Sequence, residues 1–234
     1  MIAAYDNLSK DSKKLIIKNL FFSLIVIIFA LIIYLFFFDK EIKPQFNSYD
    51  TNQKPFIISL YGDSLMSGYL LNDSQHLSVQ LNHLLNNFKV PNKIINSSVS
   101  GNTTDQGLQR MQDIITLKPD IVILCLGAND MLLRVDVNII HKNLEKIITE
   151  LQKNNIKIIL AGMYASPILS KAYKDDFKNI YLILSKKYNL IFMPFILEDI
   201  IFNNKYLLDD RSHPNFEGVK IIANNLIKYL AMIL

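Results

Sequence analysis

The chain has 234 residues, half of them hydrophobic, with 25 Lys and Arg against 21 Asp and Glu for a formal charge of +4. This is enough chain for one sizeable domain and an appendage. The small charge and the scattered lysines exclude a phosphate-tracking surface, so no nucleic-acid partner is expected. A single cysteine, Cys125, excludes an intrachain disulfide. Its place among the aliphatic residues of Ile121–Leu126 fits buried filler, since a reactive thiol needs a polar, partly exposed setting. No Cys/His cluster has metal-ligand spacing, so no structural zinc is expected.

The first element is Leu20–Phe38, an apolar run broken only by Ser23 and Tyr34. Its about 19 residues approach the roughly 20 that a helix needs to cross a hydrocarbon core. Because the run is apolar on every face, one transmembrane helix is expected over 20–38, behind a cytoplasmic tail over 1–19, and not a buried core helix. Lys10, Lys13, Lys14 and Lys18 lead the run while Lys40 and Lys43 follow, which sets the N-terminus inside. The run ends in Phe36-Phe37-Phe38-Asp39 with no small-residue cleavage site, so an uncleaved anchor is expected in place of a signal peptide. Residues 39–54 are polar, contain Pro44 and lack periodicity, which predicts a linker, with the main domain over 55–234.

Within that domain, short aliphatic runs alternate with longer amphipathic stretches, the pattern of parallel strands joined by helices. Strands are predicted at Phe56–Tyr61, Lys93–Asn96, Ile121–Leu126, Ile156–Ala161 and Leu190–Phe192. Asp73 or Ser74 can cap a helix carrying Leu77, Leu81, Leu84, Leu85 and Phe88 on one stripe. Asn138–Asn154 repeats the pattern with Ile140, Leu144, Ile147, Ile148 and Leu151. A last helix, with Pro214 at its first position, carries Val219, Ile222, Ala223, Leu226 and Leu230.

In an open parallel sheet, ligands bind beyond the carboxyl ends of the strands. Polar clusters fall there: Gly62-Asp63-Ser64-Leu65, Ser100-Gly101-Asn102-Thr103, Gly127-Ala128-Asn129-Asp130, and Asp210-Arg211-Ser212-His213-Pro214 before the last helix. A serine hydroxyl becomes nucleophilic when an imidazole takes its proton and a carboxylate orients that imidazole. His76, His83 and His141 lie in predicted helices, whereas His213 sits at a loop-to-helix junction, three residues after Asp210. A tight turn there can bring an Asp210 oxygen to Nδ1 and leave Nε2 for Ser64. Donors for an oxyanion are the N–H of Ser64, the N–H of Gly101 and the side-chain amide of Asn129.

Gly62-Asp63-Ser64-Leu65 with Gly68, then Gly101, Gly127-x-Asn129-Asp130 and Asp210-x-x-His213-Pro214 resemble the four blocks of the SGNH/GDSL hydrolase superfamily, in its order, over essentially all of 55–234. Ser98–Thr104, Gly107–Arg110 and Pro194–Glu198 are most similar to segments of its bacterial acyl-CoA thioesterase I/lysophospholipase L1/arylesterase group. The resemblance implies an α/β, flavodoxin-like three-layer fold with a five-stranded parallel sheet, here preceded by one transmembrane helix. It gives Ser64, Gly101, Asn129 and His213 the name-giving roles and Asp210 that of triad acid, with Asp209 a poorer choice on spacing. It implies no metal or other cofactor, and cleavage of a small acyl ester, thioester or lysophospholipid through an acyl-enzyme. Met66 stands where the ordinary lipase elbow has its second glycine, which argues against an α/β-hydrolase. Asn102 stands where similar proteins often carry Asp, and Ala128 where Gly is common.

By the same resemblance, Met163–Pro167, with Tyr164 and Pro167, would line the leaving-group side or acyl pocket; an ordinary loop explains the segment equally well. The expected location is the inner (cytoplasmic) membrane, single-pass, with the hydrolase domain on the periplasmic side. Two competing readings are a carbohydrate O-acetyl esterase of the cell envelope and a non-catalytic, membrane-anchored binding module.

Overall fold

Five aliphatic runs form the sheet of the computed structural model, which describes residues 9–38, 44–50 and 53–234. They are β1 (Phe56–Gly62), β2 (Asn92–Asn96), β3 (Ile121–Cys125), β4 (Lys157–Ala161) and β5 (Ile191–Met193), each within one residue of its predicted bounds. All pair in parallel, in the order β2-β1-β3-β4-β5. Every residue of the central β3 is buried, as a strand covered on both faces requires. The helices are α1 (Lys10–Phe38), α2 (Ser64–Ser67), α3 (Leu77–Asn87), α4 (Thr104–Gln109), α5 (Met111–Thr116), α6 (Ala128–Leu132), α7 (Val137–Lys153), α8 (Lys171–Lys187) and α9 (Phe216–Leu230).

The chain leaves β1 toward β2, then reverses and steps through β3, β4 and β5. Right-handed crossovers therefore put α3 on one face and α7 and α8 on the other. In keeping with this, α3 packs on α9, and α7 packs on both α4 and α8. The buried stripe of α7 is the predicted one, with Ile140, Leu144, Ile147, Ile148 and Leu151 all facing the core. The reversal lies between β1 and β3, so their carboxyl ends open a crevice where chain segments diverge.

Two predicted helix starts differ. Asp73–Gln75 form a separate 3-10 turn, closed by the Asn72 N–H donating to Gln75 Oε1 at 3.1 Å, and α3 begins only after His76. Pro214 is not the first residue of α9 but pairs with Leu207 in an antiparallel bridge. Asn215 caps the helix instead, because its Oδ1 accepts from the Gly218 N–H at 3.1 Å, a bond that proline cannot offer.

The chain divides into two units, Met1–Lys43 and Pro44–Leu234. The first contains α1, in which the apolar residues from Leu20 to Phe29 are exposed. Among the described residues no helix is long and apolar enough to cross a membrane. The predicted spanning helix over 20–38 is therefore unsupported by them, and the side chains of 30–38 lie outside the described residues, as do residues 1–8 of the predicted tail. In the second unit, part of the segment predicted as linker lies against the sheet domain. The Phe46 ring sits 5.0 Å from Phe88 and the Tyr49 ring is edge-on to Phe56 at 5.8 Å. Two aromatic residues in a polar stretch gain more from burial than from solvent. Residues 39–43 and 51–52 of that segment lie outside the described residues.

Candidate active site

The crevice is built from short loops. β1 ends at Gly62, and Asp63 caps α2 by accepting from the Leu65 N–H at 3.0 Å. Ser64 is thus the first residue of a helix, and its own N–H has no intrahelical acceptor. Asp63 is only 1% exposed, and its second oxygen, Oδ2, has no hydrogen-bond partner. Burial pushes its carboxyl up to about 7, against the opposing pull of the Leu65 N–H and His213.

The loop before α9 brings the imidazole over this serine. Asp210 Oδ1 accepts from the N–H groups of Ser212 and His213 at 2.9 and 3.0 Å, with Arg211 in the left-handed region at φ 55°. This turn leaves Asp210 Oδ2 at 2.6 Å from His213 Nδ1, and His213 Nε2 at 2.8 Å from Ser64 Oγ. With the ring proton on Nδ1, where a carboxylate holds it, Nδ1–H donates to Asp210 and Nε2 accepts from the Ser64 hydroxyl. Partial burial pushes the Asp210 carboxyl up, but the N–H groups of His213 and Ser212 and the imidazole outweigh it and hold it below its ordinary value. The oxygen that orients the ring therefore stays ionised at neutral pH.

The other predicted residues come from the ends of β2 and β3. Gly101 has φ +83°, a conformation costly for any residue with a Cβ, and the space beside it is open. Asn129 Nδ2 donates to the Asn102 carbonyl at 3.0 Å, which joins the two loops. Gly127 has φ +122°, and a Cβ there would meet Tyr181 Oη at 2.3 Å. Beneath these loops Asp130, 1% exposed, accepts from the Thr104 N–H at 2.8 Å and the Thr104 hydroxyl at 2.6 Å, and Asn143 donates to that hydroxyl at 3.2 Å.

Ser64, His213 and Asp210 are brought together in hydrogen-bonded series, and Gly101 and Asn129 lie on loops joined to each other. Tyr164 and Pro167 are not in this group. The Tyr164 ring stacks on Phe195 at 4.4 Å, the Pro167 carbonyl accepts from Lys174, and neither lines the small cleft beside Ser64. That cleft, about 10 Å³, is bounded by Leu65, Tyr69, Leu77, Pro214 and Val219 besides Ser64 and His213. Tyr69, whose ring lies 4.6 Å from that of His213, was not predicted. A tyrosine after a glycine carries no signal of its own; only the return of the chain at His213 gives it an imidazole to cover. His76 instead approaches the Leu71 carbonyl at 3.3 Å, and His141 keeps a buried, unpartnered Nε2 in α7.

A serine, an imidazole and a carboxylate in series, on a sheet whose order reverses beside the serine, make a site of the serine ester hydrolase class. The chain belongs to the GDSL-like lipase/acylhydrolase family, whose profile matches residues 60–221, and is an ester hydrolase of the SGNH type. It is 32% identical over 174 residues to an arylesterase of Vibrio mimicus, covering 72% of this chain and 87% of the relative. It is 27% identical over 172 residues to thioesterase 1/protease 1/lysophospholipase L1 of Escherichia coli K12, covering 73% and 81%. Among solved structures, a psychrotrophic esterase EstA from Pseudoalteromonas, inhibited by monoethylphosphonate, superposes with a TM-score of 0.72 at 25% identity, covering 76% of this chain and 97% of that one.

Proposed function

We propose that this protein hydrolyses small acyl esters and thioesters, lysophospholipids included, with Ser64 as nucleophile, His213 as base and Asp210 as the acid that orients it. The observation that carries the reading is the unbroken series Ser64 Oγ, His213 Nε2, His213 Nδ1, Asp210 Oδ2, at 2.8 and 2.6 Å. Ser64 Oγ attacks the acyl carbonyl as His213 Nε2 takes its proton. The tetrahedral oxyanion accepts from the Ser64 and Gly101 N–H groups and from the Asn129 amide. Its collapse expels the alcohol or thiol, which receives the proton from His213, and leaves acyl-Ser64. Water, deprotonated by the same imidazole, releases the acid and restores the serine.

The names of the two relatives support esters, thioesters and lysophospholipids as the substrate class. The cleft beside Ser64 is too small for a chain, at about 10 Å³. A longer acyl or leaving group would therefore extend out of this cleft, beyond the carboxyl ends of the strands. Phosphonofluoridate should label Ser64 of the folded protein, and Ser64→Ala should lower p-nitrophenyl acetate hydrolysis by on the order of 10⁴-fold or more. Undiminished turnover by Ser64→Ala would sink the reading. Rates on acetyl, medium-chain, thioester and lysophospholipid substrates then rank the class.

The same reading places this chemistry outside the cytoplasm, on a domain held at the inner membrane by the Leu20–Phe38 run. Its support is the sequence: an apolar stretch of spanning length led by four lysines. Full-length protein should resist carbonate extraction, and a reporter fused after Leu234 should be active in the periplasm. Recovery of unprocessed protein in the carbonate supernatant would refute the anchor.

A further inference from the structure

Arg110, which follows α4, is a half-buried cation that the triad does not use. Its Nε donates to Asn102 Oδ1 at 2.6 Å, its Nη1 to the Ser97 carbonyl at 2.5 Å and its Nη2 to the Gly62 carbonyl at 2.9 Å. The guanidinium carbon lies 4.5 Å from the centre of the Tyr61 ring. One planar group thus grips the end of β1, the residue after β2 and the far side of the loop carrying Gly101. Gly62 is two residues before Ser64. Asn102, besides binding Arg110 with its side chain, accepts from Asn129 Nδ2 through its main-chain carbonyl. Arg110 therefore touches, directly or through one residue, each segment that supplies a proposed oxyanion donor.

Other bonds fasten the near half of the same loop. Ser98 Oγ donates to the Leu60 carbonyl, and the Val99 N–H donates to the Gly62 carbonyl at 3.1 Å. Beyond Gly101 the anchorage of the Asn102 side chain is Arg110. A lysine cannot replace this contact, because a single ammonium on a flexible stem lacks the fixed fork that reaches three acceptors at once.

We propose that Arg110 is a positioning residue for ester hydrolysis, setting the spacing of the Ser64, Gly101 and Asn129 donors and acting on Asn129 through Asn102. The inference rests on the triad and oxyanion reading above. An oxyanion forms only during reaction, so misplaced donors should lower kcat and leave KM nearly unchanged.

The test uses full-length protein and p-nitrophenyl acetate, with thermal unfolding of each variant measured alongside. Loss of one donor costs about 100- to 1000-fold, so misplacement by Arg110→Met or Arg110→Lys should cost kcat about 10- to 100-fold, with KM within about threefold of wild type. In an Asn129→Ala background the same Arg110→Met change should cost at least about threefold less, because one of the groups it positions is already gone. An equal loss in both backgrounds, a change confined to KM, or an unchanged kcat overturns the proposal. Should Arg110→Met fail to fold, Asn102→Ala decides the matter, since it leaves both carbonyl contacts of Arg110 intact. A kcat loss of about fivefold or more at constant KM supports the inference, and a wild-type kcat overturns it. Activity surviving in Ser64→Ala would mean that the triad reading itself has failed. An inactive Ser64→Ala beside fully active Arg110 and Asn102 variants would mean that only this inference has.

Discussion

Asp63 sits beside Ser64 with one carboxylate oxygen capping α2 and the other unpartnered in the interior. Its burial favours the neutral form, moving its titration from an ordinary 3.8 up to about 7. Between these values the folded protein holds a proton that the unfolded chain has released. More protons are then bound in the native than in the unfolded state, so stability falls as pH rises through this window and levels off above it. Asp210 behaves oppositely: with its carboxyl held below the ordinary value, it contributes stability above pH 3.8 that is lost in acid. Asp63→Asn keeps an oxygen for the Leu65 N–H but cannot ionise. Its stability relative to wild type should therefore rise between pH 4 and 7.5, at up to about 1.4 kcal/mol per pH unit. Urea unfolding at four pH values in that range measures it; parallel wild-type and variant profiles would contradict the burial of an ionisable Asp63.

Among the elements, strands were more legible than helix ends. Glycine closes or follows β1, β3 and β4, Asn96 closes β2 and Pro194 follows β5, and polar residues beyond the ends of β1, β2 and β3 line the crevice. The Asp210–His213 contact was legible because a three-residue turn closes it, whereas its meeting with Ser64 depended on recognising motif order across 149 residues. The joints leading into β2, β3, β4 and β5 were harder to read. Each contains a left-handed residue, Lys89, Lys118, Asn155 or Asn189, where a glycine would mark a helix end. Caps failed for a related reason: neighbouring polar residues compete for the same amides, and Asn72 with Gln75 closed its own turn before α3 began. The role of Arg110 was hidden differently. An arginine after a short helix looks solvated until three distant segments converge on it.

At the scale of the whole molecule, the boundary of the hydrolase unit follows from what the chain before β1 buries. The sequence predicts a domain beginning at Pro55, because the preceding residues are polar and aperiodic. The structure begins that unit at Pro44, and Phe46 and Tyr49 pack partly buried against the core. Phe46 meets Phe88 after α3, and Tyr49 meets Phe56 at the start of β1, so together they cover the amino-terminal edge of the sheet's β1 and the end of its first crossover helix. Neither ring is near Ser64 in the chain of contacts that builds the site, so their loss should affect stability before chemistry. A protein comprising residues 44–234 should therefore unfold cooperatively with full esterase activity at 25 °C. One comprising 55–234 should lose about 1–3 kcal/mol from two half-buried aromatic side chains, lowering Tm by about 3–10 °C. Its kcat below the transition should match that of the longer form. Equal melting temperatures for the two would show that the 44–50 segment adds nothing to the unit, and a lower kcat at equal stability would place the segment in the service of the site instead of the fold.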